Sequence, residues 1–169
     1  IQELALARIR QLSAHEVGHT LGIAHNFAAS VNDRASVMDY PHPLLDVADR
    51  GVLNALDAYD VGLGTWDFQT IKYGYSQYAT PQDETTGLAA ILQENRDAGL
   101  LYITDLDSRA EGGSHPLSHL WDNGADPVEE LHRLLDVRRA ALTRFGAGNL
   151  RVGEPYGELE DVLVPLYLL

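Results

Sequence analysis

The stretch His15-Glu16-Val17-Gly18-His19-Thr20-Leu21-Gly22-Ile23-Ala24-His25 constrains the fold more than any other part of this chain. Residues four apart on a helix share a face, with Cβ atoms about 5–6 Å apart, so His15 and His19 can grip one metal ion if their segment is helical. The apolar positions Ile1, Leu4, Ala5, Ile9 and Leu12 read as helix, and a helix is expected from Ile1 to Leu21. Glu16 lies between them, beside the ion rather than on it, where a carboxylate can take a proton from the attacking water. Gly22 can adopt the conformation that ends a helix and turns the chain, letting His25 return as a third ligand. Three protein ligands leave one position open, as in catalytic rather than structural zinc sites. By average composition, His-Glu-x-x-His arises by chance in on the order of one in a few hundred chains of this size. Adding Gly22, His25 and the downstream Ser36-Val37-Met38-Asp39-Tyr40 makes coincidence far rarer.

These residues resemble the zinc-binding helix of the metzincin clan of metallopeptidases, and Ser36 to Tyr40 resembles its Met-turn. With His25-Asn26-Phe27 and Met38-Asp39-Tyr40-Pro41, the wording is most similar to a bacterial family of large zinc-dependent metalloproteases with a metzincin-type catalytic domain. Softer similarity, at Tyr59-Asp60-Val61-Gly62 and Trp121-Asp122-Asn123-Gly124, reaches through most of the rest. The resemblance implies a mainly α, zincin-like fold: the C-terminal part of a catalytic domain, with active-site helix and Met-turn in 1–45 and a helical subdomain in 46–169. It implies Zn²⁺ held by His15, His19 and His25, Met38 packed beneath the imidazoles, and hydrolysis of a peptide or protein substrate with Glu16 as general base. In the astacin-like and serralysin-like branches, a tyrosine at the place of Tyr40 can approach zinc or stabilise the tetrahedral intermediate. Other branches lack it, and the alternative is a packed tyrosine whose hydroxyl finds another partner.

In the clan, the zinc helix follows a twisted sheet whose edge strand binds substrate. No such sheet precedes Ile1 in this sequence. The chain is accordingly expected to hold zinc weakly or not at all, to be poorly active alone, and to self-associate through the helix face left open. A secreted or cell-envelope location follows from the resemblance alone. The rival readings are a peptide-binding remnant without catalysis, against which Glu16 counts, and a structural helical domain without metal.

Composition bounds the rest. A chain of 169 residues with 45% hydrophobic content can fill a core. A formal net charge of -13, with no basic patch, argues against nucleic acid. With no cysteine, zinc must be held by His, Asp, Glu or Tyr. No apolar run approaches the ~20 residues that span a bilayer.

Along the chain, the first helix is apolar on more than one side and is expected to be buried. Asn26 to Val37 reads as a small, polar loop, and Pro41 and Pro43 fix an extended exit. Asp49-Arg50-Gly51 reads as a turn. Thr65 is expected to cap a short helix closed by Gly74, and Thr80-Pro81 to open another that ends at Gly99. Leu100 to Thr104 reads as a short strand or a buried extended segment. Asp105 to Gly124, with Gly112-Gly113, reads as an irregular loop with one helical turn near Trp121. Asp126 and Pro127 start a helix with an apolar face of Val128, Leu131, Leu135, Leu142 and Phe145. A last helix, from about Glu158, contains Pro165, and its apolar stripe runs to Leu169. His42, His115, His119 and His132 read as loop or surface histidines, although His115 and His119 are spaced for a second zinc. Asp105, Asp107, Asp122, Asn123 and Asp126 offer oxygen ligands without the spacing of an EF-hand loop, and read as solvated loop and cap residues.

Overall fold

Helix α1 spans Gln2–Thr20 in the computed structural model, which describes residues 2–109, 111 and 115–168. Ile1, Gly112-Gly113 and Leu169, which entered the sequence reading, lie outside these residues. The chain forms two compact units that interleave in sequence: Ile1–Pro43 with Ala58–Pro127, and Leu44–Asp57 with Val128–Leu169.

In the first unit, α1 is not buried as expected. Only Gln11, His15 and Gly18 are buried, while Leu6, Ile9, Leu12 and Val17 are exposed. The reason is which face meets the core. Residues 11, 15 and 18 follow the helical repeat and form one narrow seam, and the large apolar residues lie on other faces.

The core beneath that seam is the segment expected to be a polar loop. Asn26, Phe27, Ala28, Ala29, Ser30 and the run Ala35 to Asp39 are all buried. Small residues let the backbone pass through the interior, and its polar groups find partners there. Asn26 N–H donates to the Met38 carbonyl at 3.0 Å. The Asn26 side chain donates to Leu101 O at 2.8 Å and accepts from Ile103 N–H at 3.1 Å. These bonds, with Phe27 N–H to Ile103 O at 2.8 Å, hold Leu100 to Thr104 as an extended segment rather than a ladder strand, with Ile103 buried and Tyr102 exposed.

Helices α2 (Thr65–Tyr75) and α3 (Pro81–Asp97) complete the support. The cap of α2 is Gly64 rather than Thr65, because the Asp67 carboxylate reaches back to accept Gly64 N–H at 2.7 Å. The helix runs through Gly74 and stops at Tyr75, whose hydroxyl donates to Leu21 O at 3.0 Å. Thr80 caps α3 as expected, accepting from Asp83 N–H at 3.1 Å. The helical turn expected near Trp121 is instead α4 (Asp105–Ser108), and Trp121 takes a left-handed φ of 62°.

The second unit contains a hairpin of β1 (Asp46–Ala48) and β2 (Val52–Asn54), antiparallel with Val47 opposite Leu53 and joined at Asp49–Gly51. Its helices are α5 (Pro127–Thr143) and α6 (Leu159–Leu168), the latter with Pro165 inside. The buried face of α5 is Glu130, Val137 and Ala141, not the expected one: Val128, Leu131, Leu135 and Leu142 are exposed. Pairing explains the buried acid. Arg133 binds both Glu130 oxygens and also donates to the Leu45 carbonyl. No helix among the described residues is long and apolar enough to cross a membrane.

Candidate metal centre

Helix α1 puts His15 and His19 one turn apart on the seam side, and the chain then reverses. Leu21 N–H bonds Val17 O and Gly18 O, and Ile23 N–H returns to Gly18 O at 3.1 Å, closing the helix end. Gly22 sits at φ 79° with nothing within 4 Å of an added Cβ. Conformation, not space, is what calls for glycine there. His25 is carried back so that its Nε2 lies 3.2 Å from His19 Nε2, and one ring nitrogen from each of the three histidines lies within 4.8 Å of the others.

The other ring nitrogens are committed. His15 Nδ1 donates to Val37 O at 2.8 Å, His19 Nδ1 to Ile23 O at 2.9 Å, and His25 Nδ1 to Asp105 Oδ2 at 2.7 Å. All three partners accept only, so each Nδ1 carries a proton, and in a neutral ring Nε2 then carries the lone pair. Facing lone pairs of this kind repel unless a proton or a cation lies between them. This donor set fits a borderline-soft divalent cation such as zinc. Burial also pushes His15 below the usual histidine pKa of 6.5; His19 and His25 add to the fall, while the Val37 carbonyl and Glu16 oppose it. The net effect favours the neutral, ligating form.

Ser36 to Tyr40 lies under this cluster. Met38 is fully buried, and a Cβ on Gly18 would come within 2.2 Å of its Sδ, so the methionine packs against α1 between His15 and His19. The turn is held from α2 by Asp67, a buried residue that the sequence reading did not single out. Its oxygens accept Ser36 O–H at 2.6 Å, Val37 N–H at 2.9 Å and Gly64 N–H at 2.7 Å. Gln11, also missed, donates to Val37 O at 3.2 Å, the same carbonyl that orients His15. Tyr40 packs on His25 with ring centroids 4.6 Å apart and on His15 at 5.4 Å. Glu16 is exposed on α1, next to His15.

Of the remaining candidates, Asp105 alone joins the centre, through His25 rather than as an oxygen ligand. His115 Nδ1 accepts Leu117 N–H at 3.1 Å and His119 Nε2 bonds Pro116 O at 3.0 Å, so both turn to local partners. His42 bonds Pro43 O, and His132 lies exposed on α5. Asp107, Asp122, Asn123 and Asp126 gather into no metal-binding group. Among the described residues, His15, His19 and His25 are the one group of three or more metal-ligating side chains close enough to share an ion.

The Met-zincin family profile matches residues 1–169. The chain belongs to the Met-zincin family. Met-zincins are zinc metallopeptidases, so membership implies zinc and a peptide or protein substrate. Comparison with curated proteins and with solved structures gives no match.

Proposed function

We propose that this Met-zincin chain is the zinc-holding part of an endopeptidase, with His15, His19 and His25 as metal ligands and Glu16 as general base. The observation that carries the reading is the convergence of three imidazoles whose outer nitrogens already donate to Val37 O, Ile23 O and Asp105. Bound there, zinc would polarise the scissile carbonyl and bring the pKa of water toward ~7. The Glu16 carboxylate takes the proton of the attacking water as the carbon–oxygen bond forms, then delivers it to the amine nitrogen as the carbon–nitrogen bond breaks. The Tyr40 hydroxyl donates to the oxygen that gains charge. Met38 and Val37 keep the His15 ring in place from below. Secretion or placement in the cell envelope belongs to the same proposal, and fractionation of producing cells tests it.

Glu16→Gln is expected to keep zinc and abolish hydrolysis, whereas His15→Ala or His19→Ala is expected to lose zinc. Metal analysis beside a peptide-cleavage assay separates the two outcomes. Cleavage by Glu16→Gln at the wild-type rate would remove Glu16 from the mechanism.

A further inference from the structure

Trp121 is a bulky residue at φ 62° with 54% of its surface open to solvent. Its backbone N–H donates to Tyr40 O at 2.8 Å, and its indole stacks on the Tyr40 ring, with centroids 5.2 Å apart and planes inclined by 15°. Tyr40 in turn packs on His25 and His15. The indole is therefore the outer ring of an aromatic ladder that begins at the candidate ligands.

Left-handed backbone is rare for a bulky L residue, and such outliers gather at functional sites. The bond to Tyr40 O does not explain an indole, because it comes from the backbone and glycine would supply it without steric penalty. The same loop does use glycine three residues on, at Gly124 with φ 81°. Core packing does not explain it either, since more than half of the residue is exposed. A rigid, flat, apolar side chain held open beside the metal ligands suits contact with a ligand.

We propose that Trp121 is a specificity-determining residue that contacts the substrate and selects a large apolar or aromatic side chain near the scissile bond. The inference rests on the peptidase reading and adds which residue reads the substrate. Ring-to-ring steps of 4.6 Å and 5.2 Å link His25 to the indole through Tyr40. An extended peptide rises by about 3.4 Å per residue, so the selected side chain lies within roughly three residues of the bond that is cut.

Three-residue peptides carrying a metal-binding hydroxamate at one end or the other, with Ala, Leu or Phe at one position at a time, test this by calorimetric titration into the zinc-loaded chain. The wild type is expected to prefer Leu or Phe to Ala at one position. Trp121→Gly keeps the backbone bond and relieves the strained φ, so it is expected to fold. It should cut that preference by about two- to tenfold while the Ala peptide binds as before. Trp121→Phe, which keeps a flat ring, should retain part of the preference. Equal weakening across Ala, Leu and Phe peptides would mean that Trp121 only steadies Tyr40, and would overturn the proposal. So would an unchanged preference in Trp121→Gly, or no hydroxamate binding to the zinc-loaded wild type. Cleavage of the matching amide peptides is followed separately. A Trp121-dependent preference without cleavage would leave Trp121 as the residue that reads the bound peptide and would count against catalysis by this chain, so the two failures are distinguished.

Discussion

Asp105 accepts the Nδ1–H hydrogen bond of His25 at 2.7 Å from 80 residues away along the chain. Such partners fix the tautomer and ring orientation of a ligating imidazole, and Asp105→Ala is expected to lower zinc affinity by about 10–100-fold. Competition with a chromogenic chelator measures it. Metal-free stability should change little, because the carboxylate is 44% exposed and solvent screens the pair. The three histidines were legible in the sequence because helix pitch and one glycine turn are local facts. Asp105 was legible only as one acid among several, since its role depends on where a distant loop lands. Asp39 carries a different expectation. Burial pushes its carboxyl from 3.8 up to about 7, Asp122 adds to the rise, and the N–H groups of Tyr40 and Ser30 oppose it. An acid with a raised folded pKa binds its proton more tightly in the native state. Its contribution to stability is therefore full below about pH 4 and is lost as the pH rises to about 7. Denaturant titrations of wild type and Asp39→Asn across this range should show the wild type losing ground to the variant as pH rises. A stability difference independent of pH would contradict the assignment.

At the scale of elements, α1 and the turn Ser36–Tyr40 are separate pieces that must be held in register, and Asp67 and Gly18 do the holding. Asp67→Ala would leave the buried Val37 N–H and the half-buried Gly64 N–H without their acceptor, at about 1–3 kcal/mol for the Val37 group. Because Val37 O orients His15, zinc affinity should fall together with the melting temperature. Gly18→Ala would drive a Cβ to 2.2 Å from Met38 Sδ. The overpacking should cost about 1–3 kcal/mol and push the methionine from its place. Gly74→Ala is the control: it lies within α2 with nothing within 4 Å of an added Cβ, and should stabilise by up to about 1 kcal/mol. If both alanines behaved alike in thermal melts, close approach at Gly18 would not be the constraint. Helix ends with local chemistry, such as Thr80-Pro81 and Asp126-Pro127, could be read directly. The buried stretches Asn26 to Ser30 and Ala35 to Asp39 could not, because their polar groups are satisfied by Leu101, Ile103 and Asp67, far along the chain. The inward face of α5 was hidden for a similar reason, since Glu130 is buried only because Arg133 pairs with it.

For the whole molecule, the proposed metal ligands fall within one of the two units. His15, His19, His25, Asp105, Asp67 and Met38 all belong to the unit made of Ile1–Pro43 and Ala58–Pro127, and no proposed ligand lies in the other. A ligand bound by the folded form alone stabilises it by RT ln(1 + [L]/Kd), about 2.7 kcal/mol when zinc stands at 100 times its Kd. Applied to one unit, that energy should appear in amide hydrogen exchange as about hundredfold slowing of its most protected amides, those of α1 and the segment around Met38. The amides of α5 and α6 should exchange at the same rate with and without zinc. A chelator should abolish the difference, and His19→Ala should show none. Equal slowing in α5 would mean that the two units open together, so that zinc holds the whole chain rather than the unit bearing its ligands.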